Sequence, residues 1–290
     1  MEKSIQKETL CKGRIFRLVM FVLLSQLVTT PLRIFTEAVI EGRKGAPEFV
    51  TVPFIIYGIC AELVFGLGYL CIGYRLPVKN TRLRAFAYMM LICFGSYLPN
   101  ILAMAGGDGD IIENSLSVSI VTVDLLSYVI KGAVLGALFG NYAPQSEKVC
   151  PADGRYILAC AVDGSVFALL NIITDGIAGA ADSSWRLCGI LGVSALHETS
   201  FYIVYSVFMF AAGAFLPLWF RYCMPRSTSA AGTAVFAVKL CAIMWLPNVL
   251  IMAFFGTSAL PTIAYGAAYV VMFVICALVY RVIFPDKRPC

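Results

Sequence analysis

The sequence predicts an all-α, polytopic integral membrane protein, with about eight transmembrane helices laid out as two parallel four-helix repeats. Three observations carry that expectation. First, the 290 residues are 60% hydrophobic and only 13% charged, with a mean hydropathy of +0.85. A soluble domain carries about a quarter charged residues, so this chain cannot cover its apolar surface in water. Second, the apolar residues fall in long runs near the roughly 20 residues that span a hydrocarbon core. Third, one stretch occurs twice. Residues 93–105 read CFGSYLPNILAMA and residues 241–253 read CAIMWLPNVLIMA. Cys, Leu, Pro, Asn, Leu, Met and Ala recur in step, and Tyr97 and Ile101 face Trp245 and Val249. The same register carries Pro77 onto Pro225 and Tyr88 onto Phe236. So dense a self-match reads as a duplication.

The expected spans, in order, are 15–40, 52–74, 85–105, 117–140, 156–178, 200–220, 233–255 and 262–283. The first follows Lys3, Lys7, Lys12, Arg14 and Arg17. No small-residue cleavage site follows it, so it reads as a retained anchor. The second closes on Arg75, and the basic loop with Lys79, Arg82 and Arg84 leads into the third. The fourth carries Gly132, Gly136 and Gly140, a spacing that lets a neighbouring helix approach closely. The fifth opens after Gly154-Arg155, echoing Gly13-Arg14, and the sixth closes on Arg221, echoing Arg75. Between them, residues 185–197 are amphipathic enough to lie in the outer interface. The first repeat is 1–141, the linker 142–154 with Pro144 and Pro151, and the second repeat 155–290. Four spans per copy give both copies one orientation, so their pseudo-axis runs along the membrane normal.

Loop charge sets the topology. With the N-terminus inside, the outer segments hold only Arg33, Arg43, Lys44 and Arg186 as basic residues, and the loop with Asp108, Asp110 and Glu113 lies outside. The bias places both termini in the cytoplasm, with the chain in the cell (inner or plasma) membrane.

Composition also excludes. The net charge of +5 forms no basic face with interleaved aromatics, which argues against a nucleic-acid partner. The 11 cysteines lie mostly within apolar runs and show no zinc spacing. His197 is the sole histidine, which argues against multi-histidine metal centres. Neither a phosphate cradle nor an HExxH pattern occurs. No cofactor or metal is implied, and an enzyme is the weaker reading.

Charged groups at bilayer depth cost about 2.5–3.5 kcal/mol each on insertion scales, so they are the natural functional candidates. Glu62 sits mid-way along the second span. Asp124 and Lys131 lie seven residues apart in the fourth, about two turns, on one side of the helix. Asp163 and Lys239 lie about two turns into the fifth and seventh spans, and Lys239 has the reach to snorkel. Arg33 and Glu37 form an i,i+4 pair. His197-Glu198 reads as a polar boundary. The bland alternative for the buried charges is ion pairs that fix helix order.

The repeated Leu-Pro-Asn carries the site proposal. Pro99 and Pro247 each remove a backbone donor and clash with the carbonyl four residues back, bending the helix. Asn100 and Asn248 bring an amide beside each defect. Interrupted segments at matching places in two halves point to a transport site; alternatively the amides only satisfy the bent backbone. The expected function is a multi-pass transporter or permease for a small polar or amphipathic molecule. Asn100, Asn248, Glu62, Asp124 and Lys131 are the substrate-binding candidates, and a protonated Glu62 or Asp124 offers coupling. Two other readings are the membrane subunit of an ATP-driven importer with a partner ATPase, and an intramembrane enzyme on a lipid-like substrate. Lipids and substrate are the expected partners, with a homo-oligomer as a further option.

Overall fold

The computed structural model describes residues 2–40, 52–108, 112, 116–140, 154–224, 229–249 and 258–284. Several sequence assignments lie outside them: the linker up to residue 153, the loop residues Asp110 and Glu113, the basic residues Arg43, Lys44 and Arg226, and the end of the second Leu-Pro-Asn copy from Leu250. All regular structure among the described residues is helical.

In chain order the α-helices are α1 (Glu2–Phe35), α2 (Val52–Cys71), α3 (Thr81–Ile92), α4 (Leu98–Leu102), α5 (Val118–Phe139), α6 (Gly154–Ala181), α7 (Leu187–Leu191), α8 (Glu198–Cys223), α9 (Ala230–Met244) and α10 (Ala259–Ile283). Seven helical stretches among the described residues are long and apolar enough to cross a membrane, from Gly13–Ile40 to Ala259–Ile283. The expected seventh span appears as the shorter apolar α9. Large apolar side chains such as Leu27, Ile177, Val207 and Val271 are exposed along these helices. In water such a surface would aggregate; in lipid it is the solvated face. The chain is a helical membrane protein.

Contacts divide the chain into two compact units, Met1–Met90 with Thr122–Ser146, and Leu91–Val121 with Glu147–Cys290. This grouping by contact differs from the grouping by sequence likeness, since it assigns 91–121 to the second unit.

In the first unit α1 packs on α2, and α5 packs on α3. Gly132 and Gly136 make the second packing possible. A Cβ at Gly132 would lie 3.1 Å from the Phe86 Cα, and one at Gly136 would lie 2.8 Å from the Arg82 carbonyl oxygen. Only glycine lets two backbones come so close. Tyr69 of α2 holds this corner together, edge-on to Tyr88 at 5.5 Å and tilted against Phe139 at 6.2 Å. The Tyr88 hydroxyl donates to the Phe65 carbonyl at 3.0 Å.

In the second unit α6, α8, α9 and α10 pack with the broken segment that follows α3. That segment runs through a π turn (Cys93–Tyr97), α4 and a 3-10 turn (Ala103–Gly106). The wide turn ends two residues before Pro99, which has no N–H to bond the Gly95 carbonyl. A matching break falls at Trp245, two residues before Pro247. Gly213 lets α8 meet α6, since a Cβ there would lie 2.7 Å from the Asp163 carbonyl oxygen. Gly106 does the same for the 3-10 turn against Ser200 and Phe201 of α8.

Candidate functional site

The second unit contains a cavity of about 580 Å³, mouth included. It is built on the two breaks: Asn100 and Asn248 both line it. Trp245, at the second break, and Val249 line it beside them. Trp245 stacks on Tyr269 of α10, with centroids 4.7 Å apart and planes at 20°. Phe167 of α6 braces Trp245 at 5.4 Å. Phe201 and Tyr205 of α8 supply a second stacked pair on the lining, 5.7 Å apart at 22°. The short α7 closes the apolar part with Leu187, Ile190 and Leu191.

The two asparagines are not equivalent. Asn248 Nδ2 donates to Ser96 Oγ at 2.8 Å, and that hydroxyl donates to the Met244 carbonyl. Half of the Asn248 amide is thus spent on Ser96, a residue of the first break. Asn100 makes no hydrogen bond among the described residues. The Trp245 indole N–H is buried and likewise has no acceptor among them.

One row of α6 supports this site. Asp163, Phe167, Asn171 and Asp175 are spaced by four residues, and all four are buried. Side chains four apart form one ridge of a helix. Asn171 accepts from the Tyr205 hydroxyl at 2.9 Å, fixing a cavity ring, and donates to Met272 Sδ at 3.4 Å. Asp175 accepts from the Leu187 N–H at 2.7 Å, from the Tyr265 hydroxyl at 2.8 Å and from the Tyr202 hydroxyl. Arg186 lies 3.6 Å from Asp175 and 2.5 Å from Glu198. The start of α7 is therefore tied to α6, α8 and α10 through one buried carboxylate. At its other end, Gly192 takes the left-handed conformation (φ 71°), and the chain continues to Ser194 and His197. Both of these bind Asp108, the Ser194 N–H at 2.9 Å and His197 Nδ1 at 2.9 Å. His197 and Glu198 thus serve different partners, as their ~100° separation on a helix requires.

The remaining candidates lie in the first unit and meet one another. Lys131 Nζ is 3.4 Å from Glu62, whose side chain is fully buried. Asp124 is 2.5 Å from Arg33, which also holds Glu37 at 2.9 Å. Asp163 is different: it is fully buried, and neither carboxylate oxygen has a hydrogen-bond partner among the described residues. Lys239 is exposed on α9.

Sequence reasoning missed Asp175, Asn171 and the two aromatic pairs. The signal was present for the first two, as polar residues at spacings of twelve and eight from Asp163 inside an apolar run. Nothing in the sequence marked which of the many aromatics would meet. Among the described residues no three metal-ligating side chains cluster. Comparison with protein families, with curated proteins and with solved structures gave no match.

Proposed function

We propose that the protein is a membrane transporter or permease that binds a small molecule in the cavity carrying Asn100 and Asn248. The single observation behind this is that the two Pro-Asn breaks, read from sequence as matching positions of two copies, contribute both amides to one cavity. Breaking a membrane helix is costly unless neighbours or a cavity satisfy the freed backbone. Two such breaks opening on one hollow are the pattern of a midplane binding site.

The two-repeat, eight-span layout belongs to this proposal and has structural support. Ser96 and Met244 hold the same place in the two copies, 148 residues apart, and they bond to each other. Elements related by a two-fold axis touch at equivalent positions where the axis passes. Each unit also carries an aromatic corner, in which Tyr88 and Phe236 hold matching positions of the two copies. Phe220 meets Phe236 at 6.3 Å and Tyr280 at 5.5 Å, as Tyr69 meets Tyr88 and Phe139. In each copy an aromatic of the second span contacts one from the third and one from the fourth.

The proposed orientation keeps both termini in the cytoplasm of a cell membrane. The outer-assigned arginines Arg33 and Arg186 are each matched by two acids. Unmatched positive charge is thereby more one-sided than the raw count. Glu62, Asp124 and Lys131 gain no support as substrate contacts, because each meets an opposite charge within the first unit. Their place in the proposal is coupling: a proton on Glu62 or Asp124 would release Lys131 or Arg33.

Counterflow into proteoliposomes, screened over labelled small solutes, tests the reading. Any solute accumulated by the wild type is expected to lose at least tenfold in uptake in the Asn100→Ala, Asn248→Ala variant. Unchanged uptake in that variant would remove the cavity as the transport site.

A further inference from the structure

We propose that the cavity takes an uncharged, planar solute with an aromatic face and a hydrogen-bonding edge; this rests on the cavity being a ligand site. Charge is the first criterion. Among the described residues, no formally charged side chain lines the cavity. The nearest buried carboxylate in the supporting row, Asp175, is already met by a backbone N–H, two hydroxyls and Arg186. An ion entering an apolar lining without a counter-charge loses its hydration and gains nothing comparable. A neutral solute avoids that cost.

Shape is the second criterion. Trp245–Tyr269 and Phe201–Tyr205 are both near-parallel stacks, at 20° and 22°. Aromatic rings prefer offset-stacked or edge-on neighbours. A flat ring joins such a lining with one face; a bulky saturated ring does not.

Hydrogen bonding is the third criterion. The Trp245 N–H is buried without an acceptor, and the Asn100 amide is unengaged, among the described residues. A ligand with a complementary amide-like edge engages the Asn100 amide, which lines the cavity. The second half of the Asn248 amide, its Oδ1, adds an acceptor at the same rim.

Three probes of nearly one shape and different charge separate the possibilities: nicotinamide (neutral), nicotinate (anionic) and 1-methylnicotinamide, methylated on the ring nitrogen (cationic). A fourth, cyclohexanecarboxamide, keeps the amide and discards the flat ring. Saturation-transfer NMR on the full chain in nanodiscs reads binding of each. Nicotinamide is expected to bind at least threefold more tightly than the other three, and to lose at least threefold in Trp245→Leu and in Asn100→Ala. The first variant removes the stacking ring; the second removes the amide at a half-buried position, so either one suffices. Equal or tighter binding of a charged or saturated probe, still dependent on Asn100 and Trp245, overturns the ligand class and leaves the site standing. No binding by any probe, or nicotinamide binding indifferent to both variants, overturns the site itself.

Discussion

Asp163 and Glu62 are both fully buried acids in apolar helices, and they differ in company. Glu62 has Lys131 at 3.4 Å. Removing one partner of a buried pair strands the other charge, at about 3–5 kcal/mol, whereas replacing both by neutral groups of similar size is often close to neutral. Lys131→Met is therefore expected to lower thermal stability in detergent sharply, and Glu62→Gln with Lys131→Met to restore most of it. Asp163 has no such partner among the described residues. Asp163→Asn is expected to leave stability equal or raised, since the amide keeps the shape and carries no charge to bury. A large loss of melting temperature in Asp163→Asn would show that its carboxylate is held by something further. These charged residues were readable from sequence because a charge in an apolar run stands out. Their partners were not, since pairing depends on which helix faces lie together.

The elements show the same division. The spacing of Gly132 and Gly136 announced a close helix approach, and α3 supplies it. A methyl at Gly136 would press on the Arg82 backbone, while one at Gly176 of α6 meets nothing within 4 Å. Gly136→Ala is expected to cost about 1–3 kcal/mol by overpacking, and Gly176→Ala to gain up to about 0.5–1 kcal/mol of helix stability. Thermal unfolding of the two variants checks both signs. The link from α7 to α8 carries a pH dependence. Hydrogen bonds donated by the Ser194 hydroxyl and backbone N–H, with His197 beside them, hold the Asp108 carboxyl below its ordinary value. A carboxyl lowered by folding stabilises the folded state above its unfolded pKa, and the contribution fades as pH falls through the folded value. Asp108→Asn is expected to lower the melting temperature at neutral pH, with the difference from wild type closing below about pH 4.

At the scale of the whole molecule, the two aromatic corners carry a prediction. Tyr69→Ala and Phe220→Ala remove the ring at the centre of the aromatic corner in each unit. Each is expected to cost about 3–5 kcal/mol. Denaturant unfolding should find the two losses within a factor of two of each other; a negligible loss at one corner would break the correspondence. The helical class, the membrane as solvent, seven of the eight expected spans and the breaks at Pro99 and Pro247 were determined by the sequence alone, because they depend on local quantities: run length, charge spacing and a missing backbone donor. Only the tertiary structure decided that Asn100 and Asn248 share one cavity, that Trp245 and Tyr269 stack on its wall, and that Asp175 anchors the helix that closes it. Those facts depend on which faces of distant helices meet, and in an apolar chain nearly every face is apolar enough to meet any other.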